Sequence, residues 1–485
     1  MLEHDSFSDA QRADEAHARL RALLYERLRG RPTPLLVAGR SITPGASLWS
    51  TARLWVKRFR QLGLAPGDRV VLALPSGQAF LAAMVAGLWE RIALVPIAPG
   101  SCPQNVIEQC GARMVIAEFP ARGPLASCTI VATDAGAPAD GQIHARVRGQ
   151  VCEDVALVMS TSGSSGAPKR VAISFDALLA QVEAHGEALG TTSDDVCFSV
   201  LPWHHAFGLV VDLLPSLLAG ATIVADTALA ADGRGLCDAA RDYGATRMSA
   251  VPQTIRLVSA VDGGMQVLRS LRGGVVGGAR VSADVAAILG QTRLRAGYGL
   301  TEAGPGVTLG APGVWTAGAM GAPVGCEVRI AADGALHVRG VGTSAGSFER
   351  GRLERRDRGS WLATGDVVAS TSDGLAFMGR ADHRFKLENG RMVDVPRLER
   401  AIEARVGGEA LVLSRDTRTI DVLVVGSGDR DEPGASDGVR EDVAEVLGGL
   451  AKRLGDVRLI GRLDRTAKGE CIRASIARDP MAIAA

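Results

Sequence analysis

The chain has 485 residues, more than one hydrophobic core usually serves, so two units of unequal size are expected. Lys plus Arg number 54 and Asp plus Glu 53, a formal net charge of +1, and no overall field exists to draw in nucleic acid or an anionic membrane surface. Eight scattered cysteines (Cys102, Cys110, Cys128, Cys152, Cys197, Cys237, Cys326 and Cys471) form no Cys-x-x-Cys pair; this argues against a zinc site or redox dithiol and for buried thiols in a reducing cytoplasm.

In chain order, "MLEHDSFSDAQRADEAHARL" alternates acid and base with no apolar core, unlike a secretory signal. No window approaches the roughly 18 apolar residues of a membrane span. "DRVVLALP" (68–75) reads as a buried strand, "GQAFLAAMVAGLWERIA" (77–93) as a helix and "LVPIAP" (94–99) as the next strand. The rhythm continues through "VALVMS", a helix around "FDALLAQVEAHGEAL", "GLVVDLLPSLLAGATIVAD" and "RMSAVP", which predicts α/β layers with mostly parallel strands. From about Trp315 to Met378, short strands with glycine turns predict a small β subdomain. Beyond Gly379 a smaller α/β unit is expected, with a helix near "PRLERAIEARV", strands near "ALVLS" and "IDVLVVG", and a Gly-rich loop over 426–438. The predicted fold is therefore α/β: a large N-terminal domain over 1–378, of layered α/β subdomains plus the β subdomain, then a small α/β C-terminal domain over 379–485.

One stretch breaks the apolar texture. "STSGSSGAPKRV" (160–171) follows the strand "VALVM" and precedes a helix beginning near Ser174, so it is expected to be a strand-to-helix turn, where α/β sheets commonly bind ligands. Gly163 and Gly166 let backbone amides approach an anion. Thr161, Ser162, Ser164 and Ser165 add hydroxyls, and Lys169 adds a mobile charge; together they suit phosphate oxygens. The spacing is not that of the common P-loop, because Ala167 and Pro168 follow the second glycine. Read alone, the stretch is also compatible with a flexible Gly/Ser loop carrying a chance lysine.

The segment resembles the phosphate loop of the adenylate-forming superfamily, which includes acyl-CoA synthetases, adenylation domains of nonribosomal peptide synthetases and luciferases. Further segments resemble that family's motifs in the same order: "LPWHHAFGL" (201–209), "GGA" (277–279), "GYGLTEAG" (297–304), "TGDVV" (364–368), "GRADHRFKLENGRMV" (379–393) and "DRTAKGECIR" (464–473). The resemblance implies a cytoplasmic acid–thiol ligase that uses ATP and Mg²⁺ and passes an acyl group to coenzyme A or to the phosphopantetheine of an acyl or peptidyl carrier protein. It implies that Thr161, Ser164, Ser165 and Lys169, within the Ser162-Gly163 to Gly166 loop, hold the β- and γ-phosphates. Thr301 contacts the α-phosphate, Glu302 helps ligate magnesium, and Tyr298 stacks on adenine beside Gly278, Ala279 and Gly299. Asp366 accepts the ribose hydroxyls, and Arg380 donates near ribose and phosphate. Singly these residues have plainer readings: Tyr298 as core, Asp366 as a turn residue, Arg380 as a solvated charge. His205 is assigned a gating or orienting role beside the acyl pocket, and His204 a packing role.

The C-terminal motifs depart from the family. Asp382 falls at the hinge about which the small domain is implied to rotate between half-reactions. Where the family carries a lysine bridging carboxylate and α-phosphate, this chain has Glu470, whose charge would repel those oxygens. Lys468 lies two residues earlier, about 7 Å along an extended loop. Lys386 and Arg391 match cations that some relatives use in the second half-reaction. Where amino-acid-activating relatives place an aspartate for the substrate ammonium, this chain has Phe207, which disfavours an α-amino acid. The expected substrate is a small non-amino acyl or aryl acid. A catalytically impaired adenylate-binding scaffold, or an enzyme acting mainly on a supplied adenylate, is the alternative that Glu470 raises.

Overall fold

The structure, a computed structural model, describes residues 8–29, 34–39, 41–118, 129–134, 137–138, 149–161, 168–225, 232–316, 318–380, 384–387, 392–414, 418–425 and 435–460. Packing divides the chain into two units, Met1–Val328 with Val338–Leu362, and Arg329–His337 with Ala363–Ala485.

The first unit is built on a nine-stranded sheet. Its central five strands, in spatial order Val155–Thr161, Ala93–Pro96, Arg69–Ala73, Met114–Ala117 and Thr129–Asp134, are parallel. They read as continuous apolar runs because helices cover both faces. Arg69–Ala73 shows the consequence: side chains alternate between faces, so Val70 and Leu72 join the cluster beneath the Asp9–Arg29, Gly45–Gln61, Gln78–Glu90 and Phe175–Leu189 helices, whereas Val71 and Ala73 join the cluster with Ile107 and Phe348. The expected strands and helices over 68–99 occur as Arg69–Ala73, Gln78–Glu90 and Ala93–Pro96.

Two strands from the β-rich region, Gly346–Glu349 and Arg352–Arg355, do not stay with their sequence neighbours. Gly346–Glu349 pairs antiparallel with Lys169–Ser174 and extends the large sheet. Buried Phe348, with the Arg69 guanidinium 5.3 Å from its ring centre, anchors the strand there. A four-stranded sheet in the order Val196–Phe198, Thr222–Val224, Pro34–Ala38, Ser41–Pro44 completes the layers near the candidate site.

The second unit contains the antiparallel strands Leu362–Thr371 and Gly374–Arg380. It also contains a sheet of Ala410–Leu413, Ile420–Val425 and Leu454–Ile460, covered by the Val395–Val406 and Ala435–Leu447 helices. The smaller α/β unit expected from sequence is therefore present.

The expectation of uniformly buried thiols needs correction. Cys110, Cys152, Cys197 and Cys237 are buried, but Cys326 is half-buried and Cys102 exposed, because Cys102 lies in the Pro-flanked turn after Ala93–Pro96. Cys128 and Cys471 lie outside the described residues. No helix among the described residues is long and apolar enough to cross a membrane.

Candidate functional site

The Ser/Gly segment joins two antiparallel strands rather than a strand and a helix. Val155–Thr161 pairs with Lys169–Ser174 in the register Thr161 to Lys169 and Ser160 to Arg170, and the helix begins only at Phe175. The second strand forms because "KRVAIS" carries β-branched Val171 and Ile173 at alternate positions between two sheet neighbours. Strand alternation also separates the two cations. Arg170 points inward, donates to Gln109 Oε1 at 2.7 Å and also bonds the Ser160 hydroxyl, while Lys169 is exposed at the loop base. Opposite Lys169, Thr161 Oγ1 is buried and has no hydrogen-bond partner among the described residues. Ser162, Gly163, Ser164, Ser165 and Gly166 lie outside the described residues. A buried hydroxyl without a partner is costly, and a phosphate oxygen would satisfy it.

The Thr301–Ala303 turn packs against the Val155–Thr161 strand. Thr301 is buried and Glu302 half-buried; the Glu302 carbonyl accepts from Ser344 N at 3.0 Å. Two glycines permit this close packing. A Cβ on Gly299 would sit 1.7 Å from the Pro305 carbonyl oxygen, and one on Gly304, at φ +99°, 1.6 Å from that of Gly342. Tyr298, half-buried, ends the Arg295–Tyr298 strand opposite Thr308.

The "WHH" segment approaches the carboxyl end of the same sheet, since Trp203 N donates to Ser76 Oγ at 3.2 Å just beyond Arg69–Ala73. The His204 and His205 rings are tilted at 48° with centres 4.4 Å apart, and burial lowers the His204 pKa. The His205 carbonyl accepts from Leu209 N at 2.9 Å at the entry to a π-helix, Phe207–Leu213. π-Helical turns recur at functional sites. Phe207, half-buried, lies 3.6 Å, and Val251 3.7 Å, from where a Gly278 Cβ would be, so the acyl-side aromatic and the Gly277-Gly278-Ala279 turn line one place.

Sequence inspection does not single out three buried residues in this region. Asp212 lies in the π-helix with its carboxyl pushed up to about 6 by burial, against which the Ser249 and Ser199 hydroxyls work. Ser199 Oγ also accepts from the Trp203 indole at 2.9 Å, tying the histidine segment to the π-helix. Gln181 and His185 sit one turn apart on Phe175–Leu189, facing the 301–306 segment. Their signal was present: both fall on the buried phase set by Leu178 and Val182.

In the second unit, Asp366 and Arg380 are register partners, and Arg380 Nη1 donates to Asp366 Oδ1 at 3.1 Å and to the Thr364 carbonyl at 3.2 Å. Buried Asp366 receives its backbone direction from Thr364 Oγ1, which accepts from Asp366 N and donates to the Leu336 carbonyl. The carboxylate is thus held on a strand with a cation beside it, an arrangement suited to two adjacent hydroxyls. Asp382, Arg391, Lys468 and Glu470 lie outside the described residues. Lys386 ends the Arg384–Lys386 strand.

In the first unit a hydroxyl and a lysine flank one segment, groups suited to phosphate oxygens; in the second, a carboxylate with an arginine beside it is suited to hydroxyls. Among the described residues no cluster of three metal-ligating side chains occurs. A single carboxylate such as Glu302 is nonetheless a sufficient protein ligand for magnesium, which completes its shell with substrate phosphates and water.

A family model described as "AMP-binding enzyme" matches residues 38–347. The chain is 28% identical over 492 residues to the phenyloxazoline synthase MbtB of Mycolicibacterium paratuberculosis, covering 92% of this chain and 41% of that protein. It is 26% identical over 463 residues to 4-coumarate–CoA ligase 5 of Oryza sativa subsp. japonica, covering 86% and 85%. The chain thus spans less than half of the synthase and most of the ligase. Among solved structures, it resembles the anthranilate CoA ligase AuaEII in complex with anthranoyl-AMP, with a TM-score of 0.76, 18% identity and coverage of 95% and 96%. It also resembles a benzoate CoA ligase from Burkholderia xenovorans LB400, with a TM-score of 0.74, 18% identity and coverage of 94% and 99%. The match over well over half of the sequence shows that the chain belongs to the AMP-binding enzymes, the adenylate-forming superfamily of ligases.

Proposed function

We propose that this enzyme uses ATP to activate a small non-amino acyl or aryl acid as its adenylate and transfers the acyl group to the thiol of coenzyme A or of carrier-protein phosphopantetheine. The observation that carries the reading is the buried hydroxyl of Thr161, without a hydrogen-bond partner among the described residues, directly across from Lys169 at the mouth of the Ser/Gly segment. Attack of the carboxylate on the α-phosphorus, with pyrophosphate leaving, gathers negative charge on phosphate oxygens, so catalysis is positioning and electrostatic stabilisation. Thr161, Ser164, Ser165 and Lys169 would hold the β- and γ-phosphates, Thr301 the α-phosphate, and Glu302 a magnesium ion, whose role is charge neutralisation. Tyr298, with Gly278, Ala279 and Gly299, would take adenine; Asp366 and Arg380 would take ribose. Phe207 beside Gly278 supports an uncharged acid, because an ammonium there would lack a partner. Acid-dependent ATP–pyrophosphate exchange across a panel of aryl, acyl and amino acids tests the reading. Exchange driven by α-amino acids alone would overturn the substrate class, and none with any acid would overturn the first half-reaction.

The functional domains are assigned as 1–378 and 379–485, with the hinge at Asp382. Packing groups the preceding hairpin with the small unit because Gly374–Arg380 stays paired with Leu362–Thr371. Lys468 is assigned the adenylation-face cation in place of residue 470, and Lys386 and Arg391 the thioester face. Glu470 favours one other reading, an enzyme acting mainly on a supplied adenylate or an impaired adenylate-binding scaffold. The two separate cleanly. If Lys468 supplies the cation, Lys468→Ala abolishes exchange and Glu470→Lys adds little. If the adenylation face has decayed, Glu470→Lys accelerates acyl-adenylate formation by on the order of a hundredfold.

A further inference from the structure

The segment after Glu302 is Ala303-Gly304-Pro305-Gly306, which has no side chain able to hold its own backbone. Its restraint comes from the Phe175–Leu189 helix. Gln181, 2% exposed, donates through Nε2 to the Ala303 carbonyl at 3.4 Å and to the Gly342 carbonyl at 3.5 Å, and its Oε1 accepts from Gly306 N at 3.2 Å. Only this orientation of the amide sets donors against both carbonyls and the acceptor against the N–H. One turn on, His185 Nδ1 donates to the Gln181 carbonyl at 2.9 Å, and its ring lies against Gly306, where a Cβ would come within 2.2 Å of Nε2. Burial lowers the His185 pKa, so the ring is neutral and adds no charge beside the turn. Among the described residues, the polar contacts of the Gln181 amide therefore end on backbone flanking Thr301 and Glu302 or on the loop at Gly342, whose neighbour Ser344 in turn bonds the Glu302 carbonyl.

We propose that Gln181 is a positioning residue for nucleotide and magnesium: its amide braces residues 303–306 against the Gly342 loop and thereby sets the presentation of Thr301 and Glu302. The inference rests on the reading of that turn as the α-phosphate and magnesium site. An ordinary satisfied core glutamine would contribute stability without affecting ligand geometry, whereas a brace acts on sites that tolerate displacements of only about 0.5 Å.

The test compares Gln181→Met, which keeps volume but removes the amide, with Leu178→Ala, which opens a cavity in the large apolar cluster on the same helix. Binding of Mg²⁺ with α,β-methylene-ATP, which cannot be cleaved at the reacting bond, is measured by calorimetry, alongside the Mg²⁺ dependence of exchange and thermal melting. Gln181→Met is expected to weaken Mg²⁺-nucleotide binding about tenfold and to raise the Mg²⁺ needed for half-maximal exchange, with the acid KM within about twofold. Leu178→Ala is expected to lower the melting temperature while leaving binding unchanged. Wild-type affinity in Gln181→Met, or an equal loss in Leu178→Ala, overturns the brace. A wild-type protein that binds no nucleotide overturns the ATP reading itself, which keeps the two failures distinct.

Discussion

At the scale of single residues, the site is marked by groups whose burial makes sense only with a ligand or a network. Thr161→Val removes a hydroxyl that has no partner among the described residues, so stability should hold or rise by about 1 kcal/mol while ATP–pyrophosphate exchange falls. Denaturant unfolding and exchange assays on one preparation check both halves, and a destabilised but active variant would refute the assignment. Lys169→Ala should weaken ATP use yet spare transfer from a synthetic acyl-adenylate, and equal loss in both assays would point to folding instead. Asp212 gives a pH signature of definite sign. Its folded pKa, about 6, lies above the unfolded value, so the native state binds the extra proton between about pH 4 and 6 and its contribution to stability falls as pH rises through that window. A rise of that size corresponds to roughly 3 kcal/mol. Asp212→Asn should remove this slope, read as urea midpoints from about pH 4 to 7; the neighbouring Cys197 thiol, pushed up to about 12 by burial, stays neutral throughout. An unchanged slope in the variant would show that another group titrates.

At the scale of elements, glycines with the same backbone hand carry different consequences. Gly190 caps the Phe175–Leu189 helix at φ +60° with nothing within 4 Å of a Cβ, so Gly190→Ala should cost only the conformational term, about 1 kcal/mol. Gly304→Ala adds a Cβ on top of the Gly342 carbonyl oxygen and should cost several times more, with loss of nucleotide binding. Paired unfolding curves decide; equal costs would mean that the 303–306 segment yields freely, contrary to a braced turn. The existence of both flanking elements was legible from periodicity. The hairpin at 155–174 was not, because a Ser/Gly segment after an apolar strand is compatible with either a helix or a returning strand, and the returning strand gains its second sheet neighbour only from Gly346–Glu349, more than 170 residues on.

At the scale of the whole molecule, the proposed rotation of the small domain between the two half-reactions turns on Asp382. Asp382→Pro would confine φ near −65° and remove a backbone donor, so the small domain should keep one working orientation and lose the other. Exchange and thioester formation from a supplied adenylate should then be affected unequally. Unchanged overall turnover would show that alternation at this hinge is not required.

The sequence by itself determined the alternation of strands and helices and the ordered motifs from Ser160 to Arg473, because periodicity, glycine placement and residue spacing are local properties. It also carried the family, as the family model's match over residues 38–347 bears out. Tertiary structure alone decided that Arg170 turns inward while Lys169 faces out, that Asp212 meets two serines and that Gln181 reaches Ala303 and Gly342. Those last partners lie 122 and 161 residues away along the chain, beyond any local pattern. A buried amide or carboxyl acquires its role from what long-range packing sets against it, and only the closed fold supplies those neighbours.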